Sequence, residues 1–445
     1  MATDTLGETP TGLPADSPNG GTESANRRAM LIVFLVVFID LLGFGIVLPL
    51  LPRFAEQFLP GFSDTAKGAA IGGLFSVFSL MQFVFSPMWG RVSDRIGRRP
   101  VLMIGLAGSV VFYGLFGYAS ALPPESWPVA LGLLFASRLG AGIAGASVGT
   151  AAAVIADCTT PEKRAKGMAL IGAAFGFGFT FGPLIAYASL KYFDSAPWAP
   201  GATAAVLSLL ALGIAAAVLP ETLRHGPKAP REFFSLARTR EVLAMPKVGL
   251  LVFVYFLVIF AFANFEATLT LFTKEVFAMQ ADDTFLVFAF IGFVLMVVQG
   301  GIYRPLAGRL SEWRLMRFGV ALLLFGLAGI ALNAYAAYGL KESLEGGGVN
   351  LRPLFYGSVA VAVAGFAFVN PSVSALVSKN ADRTRQGEVQ GVNQSFSALG
   401  RIAGPFAGSV LFFQSASHLL PYFVAAGVML GVAGLLAARG RDDAP

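Results

Sequence analysis

Cysteine, histidine and charge are all scarce in this chain. Its 445 residues include one cysteine, two histidines and only 13% charged side chains. A lone Cys158 excludes an internal disulfide, and with only His225 and His418 beside it no metal-ligand spacing arises, so no metal site is expected. No G-x-x-x-x-G-K-[ST] loop is present, which excludes a P-loop nucleotide site, and no other cofactor motif stands out. No nucleophile–base set stands where a hydrophobic span ends, so an enzyme is not expected. The net charge of +6 would suit a nucleic-acid partner, but the basic residues sit between hydrophobic runs rather than on one polar face.

What the chain does have is apolar length. It is 56% hydrophobic, with 41 Phe and 52 Gly, and its mean hydropathy is +0.70. Runs of about 20 apolar residues recur along most of it, the length that crosses a bilayer as a helix. Abundant glycine suits helices that approach closely in lipid. The runs predict helices at 29–51, 68–90, 100–121, 128–156, 166–190, 201–220, 248–272, 284–306, 316–338, 352–378, 387–413 and 418–438. They are too long and continuous for the alternating strands of an outer-membrane barrel. The fold class is therefore an all-α membrane protein with twelve spans.

The basic residues predict an orientation. Arg53, Lys67, Lys191, Lys274, Lys341 and Arg352 fall on one side; Arg138 and Arg401 fall inside spans; every other Lys and Arg lies on the side of both termini. By the positive-inside rule that side is cytoplasmic, and the protein is expected to be a multi-pass component of the cytoplasmic membrane. Residues 1–28 are rich in Pro, Gly, Ser and Thr and read as a disordered cytoplasmic tail. They lack the basic start and short apolar core of a secretory signal, so the first span is expected to be retained. The longest basic interruption divides six spans from six. The expected units are bundles at 29–220 and 248–438, a connector at 221–247 and a short tail at 439–445.

The two halves echo each other. Gly178-FTF-Gly182-Pro183 in the fifth span matches Gly400-RIA-Gly404-Pro405 in the eleventh, both G-x-x-x-G-P. The loop after the second span, Gly90-RVSDRIGRRP, is matched more weakly by Gly308-RLSEWRLMR after the eighth. Pseudo-symmetric six-helix halves of this kind place a cavity near the bilayer midplane, between them.

These motifs resemble a known family. Gly90-Arg91-Val92-Ser93-Asp94-Arg95-Ile96-Gly97-Arg98-Arg99 is similar to the G-x-L-a-D-r-x-G-r-R loop of the major facilitator superfamily. Arg138-LGAGIAGA, the glycine–proline motif of the fifth span and Leu219-Pro220-Glu221-Thr222 resemble its twelve-helix drug:proton antiporters. IDLLGFGIVLPLLP, IADCTTPEKRAKGMALIGA and GEVQGVNQSFSALGRIAGP resemble the tetracycline-efflux branch in particular. Two departures stand out: Ala186-Tyr187 replaces the usual Gly-Gly ending of the fifth-span motif, and Phe112 stands where tetracycline pumps carry an acid. The resemblance implies secondary active, proton-coupled export of small amphipathic compounds, with protons as the only coupling agent. Proton-coupled uptake of a nutrient or organic anion is a competing expectation, and a non-transporting receptor or scaffold is a third. The expected partners are lipid and a small-molecule substrate, and the chain is expected to be monomeric.

Embedded charges are the candidate machinery. A carboxylate at mid-bilayer costs roughly 2.5–3.5 kcal/mol on insertion scales, so it is expected to have a use and a partner. Asp40 lies about 16 Å into the first span and Arg138 about 15 Å into the fourth from the opposite side, so both reach mid-depth. Burial and a nearby guanidinium pull a carboxylate's proton affinity in opposite directions, so a changing Asp40–Arg138 separation would switch a proton on and off. A static ion pair tying two helices is the alternative. Glu266 lies about 27 Å along the seventh span, either lining the cavity or at its rim, with Arg401 as its prospective countercharge. Asp94, between Gly90 and Gly97 and beside Arg95, Arg98 and Arg99, is expected to sit against a helix N-terminus, with Arg95 and Arg99 also setting topology. In the family this loop holds the halves together on the cytoplasmic side. Gly178, Gly182 and Pro183, with their counterparts Gly400, Gly404 and Pro405, either seal the pathway or simply pack helices. Asn264, Gln299, Asn370, Asn393 and Gln394 are candidate cavity amides.

Overall fold

A computed structural model describes residues 20–159, 164–223, 236–339, 350–381, 385–414 and 417–439. Twelve of its helices are long and apolar enough to cross a membrane, and no strand occurs among the described residues. The first half comprises α1 (Gly20–Val47), α2 (Leu51–Glu56), α3 (Asp64–Ile96), α4 (Arg98–Ser120), α5 (Trp127–Gly145), α6 (Val148–Asp157), α7 (Arg164–Tyr192) and α8 (Ala199–Val218). After α9 (Leu236–Ala244), the second half comprises α10 (Pro246–Phe277), α11 (Ala281–Val297), a π-helical turn (Val298–Tyr303), α12 (Arg304–Ala307), α13 (Glu312–Gly339), α14 (Arg352–Lys379), α15 (Gln386–Phe413) and α16 (Leu420–Arg439).

Several boundaries differ from expectation. Helix α1 begins at Gly20, inside the expected tail, while residues 1–19 lie outside the described residues. The connector carries α9, with 224–235 outside the described residues, as is 440–445 of the C-terminal tail. The expected loop after the second span does not exist: α3 runs on to Ile96 and one residue, Gly97, turns the chain into α4. The fourth span is broken at Ala146–Ser147 between α5 and α6.

Packing repeats between the halves. In the first, α1 lies on α7, and α4 lies on α5 and α8; in the second, α10 lies on α15, and α13 lies on α14 and α16. These are equivalent helices of the two bundles. Backbones meet because glycines face them. A Cβ at Gly182 would fall 2.7 Å from the Gly45 carbonyl carbon, and one at Gly404 would fall 2.6 Å from the Phe260 oxygen. Without a hydrophobic force between helices in lipid, such close van der Waals contact is what binds them.

Between the halves, α3 packs on α15 and α7 on α11, again an equivalent pair of pairs. These contacts gather at one end. Gly68 and Gly72 meet the backbone at Ser409 and Phe406, and the Ser76 hydroxyl donates to the Ile402 carbonyl at 2.7 Å. Thr270 donates to the Pro49 carbonyl at 3.0 Å, and Lys274 pairs with Glu56 at 2.7 Å. At the opposite, Arg-rich end, Gly90, Gly300, Gly301 and Gly391 have open space around them. The halves therefore close at the Arg-poor end and part toward the Arg-rich one.

Gly182→Val would press a branched side chain on the Gly45 backbone, which has no side chain to move aside. Overpacking of this kind costs about 1–3 kcal/mol. Thermal unfolding in detergent should show a lowered midpoint for Gly182→Val, whereas Gly132→Val, with open space around it, should leave the midpoint unchanged.

Candidate functional site

Asp40 sits on the face of α1 turned toward α4 and the α5–α6 break. Its Oδ1 accepts a hydrogen bond from the Ser109 hydroxyl at 2.8 Å, and the Tyr113 hydroxyl donates to its backbone carbonyl at 3.3 Å. A Cβ at Gly145 would lie 3.4 Å from its Oδ2 and 3.1 Å from the Gln82 amide nitrogen. The acid thus occupies a pocket of small polar groups beside irregular backbone, which inside a membrane is tolerated only where protein or a cavity covers it.

The expected contact between Asp40 and Arg138 is absent: no ion pair within 4.0 Å joins them. Tyr113 lies within electrostatic reach of both charges. The residue beside Asp40 is Gly145, seven residues beyond Arg138 on the same face of α5, so the two charges are offset along the helix axes by about 10 Å; distance from the ends of each span misplaces their relative height. Arg138 is 2% exposed, its guanidinium 5.3 Å from the Phe116 ring centroid and 5.8 Å from that of Phe78. Its Nε and Nη2 have no hydrogen-bond partner among the described residues.

Arg138 instead faces a cavity between the halves, shared with Glu266 and Arg401 and walled by Phe44, Phe75 and Phe78. Glu266 and Arg401 come together as expected, lining the same cavity and interacting electrostatically, though without an ion pair within 4.0 Å. Pro405 also lines it. Of the amides, Asn370 accepts a hydrogen bond from the Tyr255 hydroxyl at 2.6 Å. Asn264 does not line the cavity: it is fully buried and donates to the Pro421 carbonyl of α16 at 3.4 Å, because its face of α10 is turned to α16. Asn393 is fully buried with no hydrogen bond, Gln394 is exposed, and Gln299 lies half-buried in the π turn. Gly178 and Gly182 press α7 on α1, while Gly400 and Gly404 press α15 on α10, and Pro183 lies within an unbroken α7. Among the described residues no cluster of metal-ligating side chains occurs.

At the Arg-rich end, Asp94 does not sit on a helix N-terminus. It pairs with Arg98 at 2.6 Å, and Arg98, 3% exposed, also reaches Asp157 at 3.3 Å. Arg95 is exposed. The N-terminus of α4 is taken by Glu221, whose oxygens accept from the Arg98 and Arg99 amides at 2.9 and 3.1 Å and from those of Thr222 and Leu223. Gly97, at φ +106°, brings the chain close enough that a Cβ would collide with Glu221. Partial burial would push the Glu221 carboxyl up, but these four amide bonds outweigh it and hold the group below its ordinary value. Among the described residues, the side-chain partners of Asp94 and Arg98 all belong to the first half.

Ser109, Tyr113, Gln82 and Tyr255 carry no signal in a single sequence, since hydroxyls and amides are common in such spans. The Gly145-Ala146-Ser147 run was the one hint of the break.

Residues 33–405 match the Major Facilitator Superfamily. The chain belongs to that family and is a multi-pass integral membrane transporter of it. It is 30% identical over 394 residues to the class G tetracycline resistance protein of Vibrio anguillarum, covering 88% of this chain and 92% of that one. Human major facilitator superfamily domain-containing protein 10 is 29% identical, covering 89% of this chain and 92% of its own. The crystal structure of the human organic anion transporter MFSD10 (TETRAN) aligns at TM-score 0.66 and 26% identity, over 92% of this chain and 99% of that one. The D-xylose–proton symporter shares the fold, with TM-score 0.73 at 17% identity over 92% of this chain and 97% of that one.

Two outcomes follow at the Arg-rich end. Arg98→Ala leaves Asp157 and Asp94 without their shared cation; breaking a buried pair costs about 3–5 kcal/mol, and Asp94's exposure puts the loss at the lower end, read as a lowered unfolding midpoint. Glu221, with its carboxyl lowered in the folded state, stabilises fully above the ordinary glutamate value, and that contribution fades as pH falls through the lowered one. Wild type and Glu221→Gln should therefore differ in midpoint at pH 7 and converge as the pH is taken well below 4, roughly the ordinary glutamate value.

Proposed function

We propose that the protein is a proton-coupled antiporter of the cytoplasmic membrane that exports small amphipathic compounds, with its Arg-rich end in the cytoplasm. The orientation rests on the basic residues; on it, the present conformation opens inward. The observation that carries the coupling is the separation of Asp40 from Arg138 by Tyr113, on the seam between α1, α4 and α5. Asp40 is a proton site off the substrate route, served by Ser109. Arg138 faces the route. A proton taken up from outside neutralises Asp40 and loosens its side-chain bond to Ser109, and α4, which carries both Ser109 and Tyr113, transmits the change toward Arg138, so that proton and substrate occupancy oppose each other. The inward proton gains roughly 2.3 kcal/mol per 100 mV from the potential alone.

The relatives' names, a tetracycline resistance protein and an organic anion transporter, support small organic cargo but point to two kinds of compound. Inside-out vesicles with an internal pH dye test the coupling. Substrate addition should evoke a proton leak in wild type and none in Asp40→Asn, while both still bind the compound. Equal leaks in the two proteins would remove Asp40 from the mechanism. Greater compound sensitivity in cells lacking the protein separates export from uptake.

A further inference from the structure

The molecule buries two arginines in its first half, and their surroundings differ. Arg98, 3% exposed, is saturated by Asp94, Asp157 and the Ser93 hydroxyl. Arg138, 2% exposed, has no carboxylate in contact, and its Nε and Nη2 point to no acceptor among the described residues. Burying a guanidinium without an anion is costly, far more so than burying a paired one. The cation–π contacts with Phe116 and Phe78 hold its flat faces but leave its in-plane donors unused.

The cavity that Arg138 faces has a charge imbalance. Arg138 and Arg401 stand against the single carboxylate of Glu266, and the Asp40 carboxylate is engaged with Ser109 elsewhere. Phe44, Phe75 and Phe78 form the apolar wall. The cavity is narrow, with room for a small polar group rather than for a whole drug-sized molecule.

Resting on the transport reading above, we propose that this cavity is the anchoring site for an organic monoanion, with Arg138 as the specificity-determining contact to its carboxylate. The planar fork of the guanidinium matches a carboxylate with two parallel hydrogen bonds. The ligand's apolar body lies against the phenylalanine wall of the cavity. Arg401 adds to the attraction, and Glu266 limits it.

Calorimetry on the purified full-length chain with 2-naphthoate, 2-naphthamide and 2-naphthylmethylammonium tests the site, since the probes share one ring system and differ in charge. Naphthoate should bind about tenfold or more tighter than naphthamide, the gain of a charge-assisted pair, with the ammonium weakest. Arg138→Gln should abolish that preference by weakening naphthoate far more than naphthamide, and Arg138→Lys should keep part of it. Glu266→Gln, which leaves Arg138 in place, should tighten naphthoate about threefold or more by removing the opposing charge. Equal binding of naphthoate and naphthamide to wild type, an undiminished preference in Arg138→Gln, or weakened naphthoate binding in Glu266→Gln overturns the proposal. Proton flux in proteoliposomes keeps the two readings apart. A naphthoate preference without flux defeats only the antiport reading; Asp40-dependent flux evoked by the ammonium and not by naphthoate defeats only the anion site.

Discussion

Backbone meeting backbone across glycine is the contact on which the rest of this structure depends. A helix in lipid satisfies its own peptide groups and gains nothing from hiding leucine against leucine, so association depends on how closely two cylinders approach. Here the first and fifth helices of each bundle touch through Gly45, Gly178 and Gly182, and again through Gly400, Gly404 and Gly408. The same device joins the halves at Gly68, Gly72 and Gly292. Within a bundle the glycine seams run alongside other packed helices and are permanent. Between bundles they occupy one end only, where two flat surfaces can part without unthreading interdigitated side chains.

That arrangement decides where charge is tolerated. Arg98 lies where the chain turns, and its acids, Asp94 and Asp157, come from the same half. With Glu221 on the N-terminus of α4, this end of the first bundle is a self-contained clamp. It ties α3, α4, α6 and the exit of α8 into one body, so a rigid half moves as a unit. The half-to-half links at the other end are different in kind: one hydroxyl to a carbonyl from Ser76, another from Thr270, and a half-exposed Lys274–Glu56 pair. Exposed ion pairs contribute about 0–1 kcal/mol. Strong bonds lie within each body and weak ones between them, as alternation between two closures requires.

Most of the architecture was legible in the sequence because it follows from apolar length and from a glycine–proline motif repeated at Gly178 and Gly400. Twelve spans, the division into six and six, and the matching fifth and eleventh helices were all readable that way. The site was legible only as a set of residues. Asp40, Arg138, Glu266 and Arg401 announce themselves because charge is rare in such spans, yet which of them meet depends on helix rotation and on how far neighbouring helices are shifted along their axes, and a single hydrophobic sequence leaves both open. Glu266 and Arg401 share a cavity, Asp40 and Arg138 do not touch, and Asn264 turns to α16. The Gly90–Arg99 segment departs from expectation for a different reason: a run of charged residues resembles a loop, yet α3 continues through it because arginine is a good helix former and Gly97 supplies the turn.

The two acids of the core divide their labour by environment. Asp40 is held by a serine hydroxyl behind Tyr113, next to the break between α5 and α6. Glu266 faces the cavity with two arginines in view. A group meant to carry a proton gains from a partner that tolerates either charge state, and a hydroxyl does, donating to the ionised oxygen or accepting from the protonated one. An arginine does not; it holds a carboxylate ionised. In the proposed scheme Asp40, which has a hydroxyl partner and no arginine acting on it as Arg401 acts on Glu266, is the proton carrier, and Arg138, without an acid in contact, is the receptor for an anion. In that scheme Tyr113, touching the backbone of Asp40 and lying within electrostatic reach of both groups, is where the two sites depend on each other.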